Sequence, residues 1–99
     1  MNMQNIMAQA QKMQKEITQK KEEVEAKTFN GTSELVDVVV NGKKEVLSVK
    51  IKNKEGIGNE DLDILEDMIT IALNNALSSV DKAMEEAMGA YGSALNGLF

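Results

Sequence analysis

The apolar positions of the first segment recur at helical spacing. Ile6, Ala10, Met13, Ile17 and Val24 follow at intervals of 4, 3, 4 and 7, with Met3 beside the same stripe. No Gly or Pro interrupts the run, so a helix is predicted from residue 3 to about 25. At about 100° per residue, Lys12 and Lys15 point away from the stripe alongside Gln4, Gln11 and Gln19, while Lys20 and Lys21 flank it. The period then changes. Ala26 to Phe29 reads as a short strand, and Asn30-Gly31 as a turn. Leu35 to Val40 is rich in Val, and Asn41-Gly42 marks a hairpin. Two registers are open. A two-residue turn pairs Val40 with Lys43; a four-residue loop pairs Val40 with Glu45. Both put Val36, Val38, Val40, Leu47, Val49 and Ile51 on one face. The longer loop also sets Val38 opposite Leu47 and Val36 opposite Val49, and is preferred.

The last segment, from 59 to about 88, is helical again. Asn59 is the expected N-cap, with Glu60, Asp61 and Asp63 at the positive end of the dipole. A broad apolar stripe runs from Leu62 and Leu65 through Ile69, Ala72, Ala76 and Val80 to Ala87. Ile64, Met68 and Ile71 fall on a second, separate face. The hairpin can cover one face; a second copy of the chain is the simplest cover for the other. Gly89 is the expected C-cap, and 89–99 a flexible tail. Helix, local antiparallel strands and helix make an α+β domain spanning residues 1–99.

Composition narrows the chemistry. The chain has no Cys, His, Arg or Pro and carries a net charge of −5. Disulfides and thiolate metal sites are excluded, and the commonest general base and metal ligand is missing. No catalytic constellation, cofactor or metal is expected. Asp61, Asp63, Glu66 and Asp67 read as a solvated, well-capped helix start, and the paired glycines as turns. With no long apolar run and no signal-peptide pattern, the expected setting is cytoplasmic, without a membrane. The charge is uneven: residues 59–99 hold eight acids and one lysine, Lys82, whereas the ten other lysines lie before residue 59. Lys12, Lys15, Lys20, Lys21, Lys43, Lys44, Lys50, Lys52 and Lys54 are candidates for a phosphate-contacting surface. Ordinary solubility and edge-strand protection are the competing explanation. Met3, Met7 and Met13 read first as gap-fillers on a helix face or at a dimer seam.

Three stretches, NIMAQAQKMQKEI (5–17), LVDVVVNGKKEVLSVKI (35–51) and LDILEDMITIALNNAL (62–77), resemble the YbaB/EbfC family of small bacterial nucleoid-associated proteins. The resemblance covers residues 3 to 88 in the family's order. It implies an α-β-β-β-α protomer with a small antiparallel sheet and long flanking helices, paired in a tweezers-like homodimer. It also implies largely sequence-nonspecific binding of duplex DNA in the nucleoid, with a role in nucleoid organisation and gene regulation. Carried onto this chain, the DNA-binding set is Lys12, Lys15, Lys20 and Lys21 with Asn5, Gln9, Gln11 and Gln19, widened by Lys43 and Lys44 of the hairpin. The distal end of the last helix would add only Lys82. Two departures stand out: the family's glycine-rich stretch before the second strand is reduced to Asn30-Gly31, and Ile51 is followed by Lys52 where an acid is usual. The dimer interface falls to Ile64, Met68 and Ile71. The alternative is a dimeric protein-interaction scaffold without DNA binding. Salt separates the two, because only lysine–phosphate contacts weaken steeply as salt rises.

Overall fold

The computed structural model describes residues 2–98, with the side chains of residues 90 and 92–98 outside the description. Helix α1 spans Met3–Glu25, strands β1, β2 and β3 span Thr28–Thr32, Val36–Asn41 and Val46–Ile51, and helix α2 spans Leu62–Leu98. The fold is therefore α-β-β-β-α, with an antiparallel sheet in the order β1-β2-β3. The two helices make the molecule long and thin, 71 × 21 × 14 Å.

The core lies where α2 crosses β1 and β2. Val36, Val38 and Val40 are buried against Ala72, Ala76 and Val80. Each Val contributes roughly 1.5–3 kcal/mol by leaving water. Small residues bring helix and sheet together. A Cβ on Gly31 would sit 2.0 Å from the Ala72 carbonyl oxygen and 2.4 Å from the Ala76 nitrogen. This overturns the turn expected at Asn30-Gly31. Both residues lie inside β1, opposite Val39 and Val38. The glycine is there so that a helix backbone can approach, and the chain reverses later, at Ser33, whose N–H donates to the Val36 carbonyl at 2.8 Å.

The hairpin between β2 and β3 follows neither anticipated register. Val38 faces Val49 and Val36 faces Ile51, with an irregularity beside Val40, which pairs with Val46. The loop is three residues long, because the Asn41 N–H donates to the Glu45 carbonyl at 3.0 Å. Lys44 closes it with φ 66, the left-handed position that such loops place last. An odd loop would turn β3 over. The bulge at Leu47 takes up one residue and returns Val49 and Ile51 to the face of Val38. The Asn41 side chain organises the loop: its oxygen accepts from the N–H groups of Lys43 and Glu45 at 2.9 and 3.0 Å. Its amide donates to the Glu45 carboxylate at 2.9 Å. Asn41→Ala should therefore lower unfolding free energy by about 1–2 kcal/mol, measured by urea denaturation, without changing the helix content. Gly42 is also a close-approach residue. A Cβ there would lie 2.0 Å from the Val24 carbonyl oxygen, so the loop tucks against the end of α1.

Two helix boundaries also differ from expectation. Asn59 is not the N-cap of α2; a 3-10 turn, Asn59–Asp61, comes first. The Gly58 N–H donates to the Asp61 carboxylate at 3.0 Å, which closes that turn. Nor does Gly89 end the helix, whose backbone continues to Leu98. Of the anticipated tail, Phe99 lies outside the described residues. Tertiary packing overrides the weak propensity of glycine here: Tyr91, beyond Gly89, is half-buried against α1.

Candidate nucleic-acid interface

The heptad stripe of α1 meets α2 only along part of its length. Val24 is buried, Ile17 and Met13 are half-buried, and Ile6 and Met3 are exposed. The two helices run antiparallel. Lys20 and Val24 share a groove of about 420 Å³ with Ala83 and Ala87. Further out, the Tyr91 hydroxyl donates to the Glu16 carboxylate at 3.4 Å. Burial against α1, and then the adjacent Glu16 charge and hydrogen bond, hold the Tyr91 hydroxyl above its ordinary pKa. The phenol therefore remains a donor to Glu16 at neutral pH.

The Tyr91–Glu16 contact divides the α1/α2 arm into two zones of different charge. On its outer side lie residues 2–15, at the start of α1, and the part of α2 beyond Tyr91. These hold Lys12 and Lys15 and not one acid. On its inner side lie Glu22, Glu23, Asp81, Glu85 and Glu86. The acidic excess of the last third of the chain is thus confined to the proximal arm and the start of α2. Lys82, expected at the distal end of the last helix, sits on the inner side too. Its neighbour Asp81 pairs with Lys44 of the hairpin at 2.7 Å.

The anticipated binding residues are all exposed but fall into separate groups. Asn5, Gln9 and Lys12 follow one row of α1 and lead to Glu16. Gln9, Lys12, Glu16 and Tyr91 line one shallow depression. Gln11, Lys15 and Gln19 stand at intervals of four on the adjacent row of the same outward face. Lys20 lies within 4.0 Å of Glu23. Lys21 is exposed on the inner side of the division. The hairpin lysines do not extend the α1 rows. Lys44 is held by Asp81, and Lys43 shares a depression with Glu22, Glu25 and Glu45. Lys52 lies 3.6 Å from Asp37 and donates to the Ser33 carbonyl at 2.8 Å. Such exposed pairs contribute under about 1 kcal/mol each, but they cancel positive potential locally.

Apolar surface is left bare on both flanks of α2. The helix packs on β1 and β2 and leaves β3 uncovered, with Leu47 54% and Val49 48% exposed. On the other flank Ile64 and Ile71 are 51% and 46% exposed, whereas Met68 of the same face is half-buried against the core. Asn75 continues that face and donates its amide to the Thr32 carbonyl at 3.1 Å, which places the face toward the β1 edge. Tyr91 and Glu16 were not among the anticipated site residues. An expected helix end at Gly89 hides any packing of Tyr91. Among the described residues no group of three or more His, Cys, Asp or Glu side chains could hold a metal ion. Among the described residues no helix is long and apolar enough to cross a membrane.

Residues 1–95 match the profile of the YbaB/EbfC DNA-binding family. A nucleoid-associated protein of Streptococcus agalactiae is 46% identical over 93 residues, covering 92% of this chain and 93% of its own. One from Streptococcus uberis is 41% identical, covering 96% of this chain and 97% of its own. One from Clostridium kluyveri is 42% identical, covering 96% of this chain and 84% of its own.

Proposed function

The chain belongs to the YbaB/EbfC DNA-binding family, and on that premise we propose that it works as a homodimer which grips duplex DNA with the outer arms of α1, as part of the bacterial nucleoid. The acid-free outer arm carries this reading. A dimer of this chain bears twice −5, so a polyanion can approach only where positive charge is segregated from the acids. Lys12 and Lys15 of each arm meet that condition best, since the one acid beside them, Glu16, accepts from the Tyr91 hydroxyl. Lys20, Lys43 and Lys44 meet it less well, because acids stand beside them.

Lysine–phosphate contacts carry no base information, so binding is largely indifferent to sequence and contributes to nucleoid organisation and gene regulation. Asn5, Gln9, Gln11 and Gln19 add amide groups able to meet base edges. Dimerisation rests on the two bare apolar surfaces. A second copy can lay its Ile64–Met68–Ile71 flank over the uncovered β3 of the first, and receive the same in return. Such a two-fold exchange covers both surfaces at once. The exposed valines and leucine of β3 also form a sheet edge that a partner would shield.

The testing experiment is a mobility shift over a salt titration, on protein whose mass in solution has been determined. Two lysines from each of two arms give about four phosphate contacts, so the log–log slope should be near −4. Affinity should fall on the order of 10²-fold between roughly 50 and 200 mM salt. A complex indifferent to salt would point to the protein-scaffold reading instead.

A further inference from the structure

The apolar end of α1 is not used by the lysine contacts just described. Met3, Ile6 and Met7 are 72%, 45% and 59% exposed, so they do not fill gaps in a core. Met3 and Met7 start a ridge spaced by four along the helix, continued by Gln11 and Lys15, and every member of it is exposed. Residues 2–11 carry no charged side chain, and the neighbours of Met7 at helical spacing, Gln4 and Gln11, are amides. The first turn is fixed by Asn2, whose side chain accepts from the Gln4 N–H at 3.0 Å. An unbranched, flexible thioether pair at the end of a rigid, capped helix suits insertion into a narrow space.

We propose that the Met3–Met7 ridge is an apolar wedge that enters the DNA minor groove and opens a base step, while Lys15 on the same ridge rests on a flanking phosphate. The inference rests on the DNA-binding reading above and adds a deformation to it. Three features commit the ridge to DNA rather than to an apolar partner. Its only neighbouring charges are Lys12 and Lys15, and no acid stands within the first fifteen residues to repel a phosphate. Lys15 lies eight residues from Met7, about 12 Å along the axis, so a lysine stem reaches phosphate while the thioether is in the groove. The amides beside the methionines can donate to the minor-groove acceptors of A·T pairs. Methionine is among the side chains known to unstack base steps and kink DNA. Flexible pyrimidine–purine steps are then the preferred sites, because they open most easily.

The test compares the wild-type protein with Met3→Gln/Met7→Gln, which retains helix-favouring residues. The probe is a short duplex with a fluorescent adenine analogue at a central TA step and an energy-transfer pair at its ends. Wild type should raise the analogue's emission several-fold and bend the duplex by about 20–90°. The variant should lose both signals and several-fold in affinity. Its salt slope should stay the same, because no phosphate contact has been removed. A wild-type complex with neither bend nor unstacking overturns the wedge, as does a variant that keeps both. So does a variant whose mass without DNA falls below that of wild type, since the ridge would then be covered by a second copy. Absence of any wild-type mobility shift overturns the DNA reading itself, and the wedge with it.

Discussion

Protein carrying Lys12→Glu and Lys15→Glu should give no mobility shift at concentrations about a hundredfold above the wild-type midpoint. The two lysines are the only charges on the acid-free outer arm, so the double change converts the whole arm from positive to negative. In a dimer it removes about four phosphate contacts, which is nearly the whole electrostatic driving force for nonspecific binding. The fold should be untouched. Both positions are exposed on α1, and Glu and Lys have similar helix propensity. Circular dichroism and solution mass check that directly. The informative control is Lys50→Glu/Lys54→Glu, which alters net charge equally but lies outside the arm. It should weaken binding only severalfold, through the long-range field. If both double variants lose affinity equally, bulk charge rather than the arm governs binding.

The second large effect is on assembly. Ile71→Lys, or Ile64→Lys, should yield monomer or insoluble chain by sedimentation at micromolar concentration. Each copy brings the substituted residue, so a dimer would have to bury two ammonium groups in an apolar contact without partners. A loss of about 4 kcal/mol or more is expected, which raises the dissociation constant by at least about 10³-fold. Ile71→Ala is the milder companion, expected to raise it by about tenfold and to remain soluble. A stable dimer from both lysine variants would exclude this flank of α2 from the interface. It would leave β3, with Val49 and Leu47 exposed, and the Met3–Met7 end of α1 as apolar surfaces able to meet a second copy.

Much of this architecture is legible from periodicity. The apolar intervals of α1, and the sweep from Leu65 to Val80, can only be buried as helices. The alternation of Val36, Val38 and Val40 marks the face on which α2 lies. The glycines were the harder signal, because one residue type answers three physical needs. Gly31 and Gly42 stand beside Asn, as turn glycines do, yet both make room for another backbone. At Gly89 nothing lies within 4 Å, so neither explanation applies. What Gly31 accommodates, the backbone between Ala72 and Ala76, lies more than forty residues away and has no local trace. The hairpin register failed for a related reason. A three-residue loop and a bulge each shift the pairing by one, and the two shifts cancel in the side-chain pattern.

The candidate site was legible in part. Helical angles place Lys12 and Lys15 correctly as exposed. They cannot show that Lys44 is held by Asp81, since the pair is joined only by tertiary structure. The regional charge count assigns eight acids and one lysine to residues 59–99 without placing them along the folded arm. Folding shows where the acids stop: at Glu86, on the inner side of the contact between Tyr91 and Glu16.

The most direct measurement is the reactivity of each lysine toward an acylating reagent, read by mass spectrometry with and without duplex DNA. Binding by the outer arm of α1 predicts strong protection of Lys12 and Lys15, with Lys50, Lys54 and Lys82 unchanged. Protection centred on Lys50 and Lys54, with Lys12 and Lys15 as reactive as in the free protein, would contradict it.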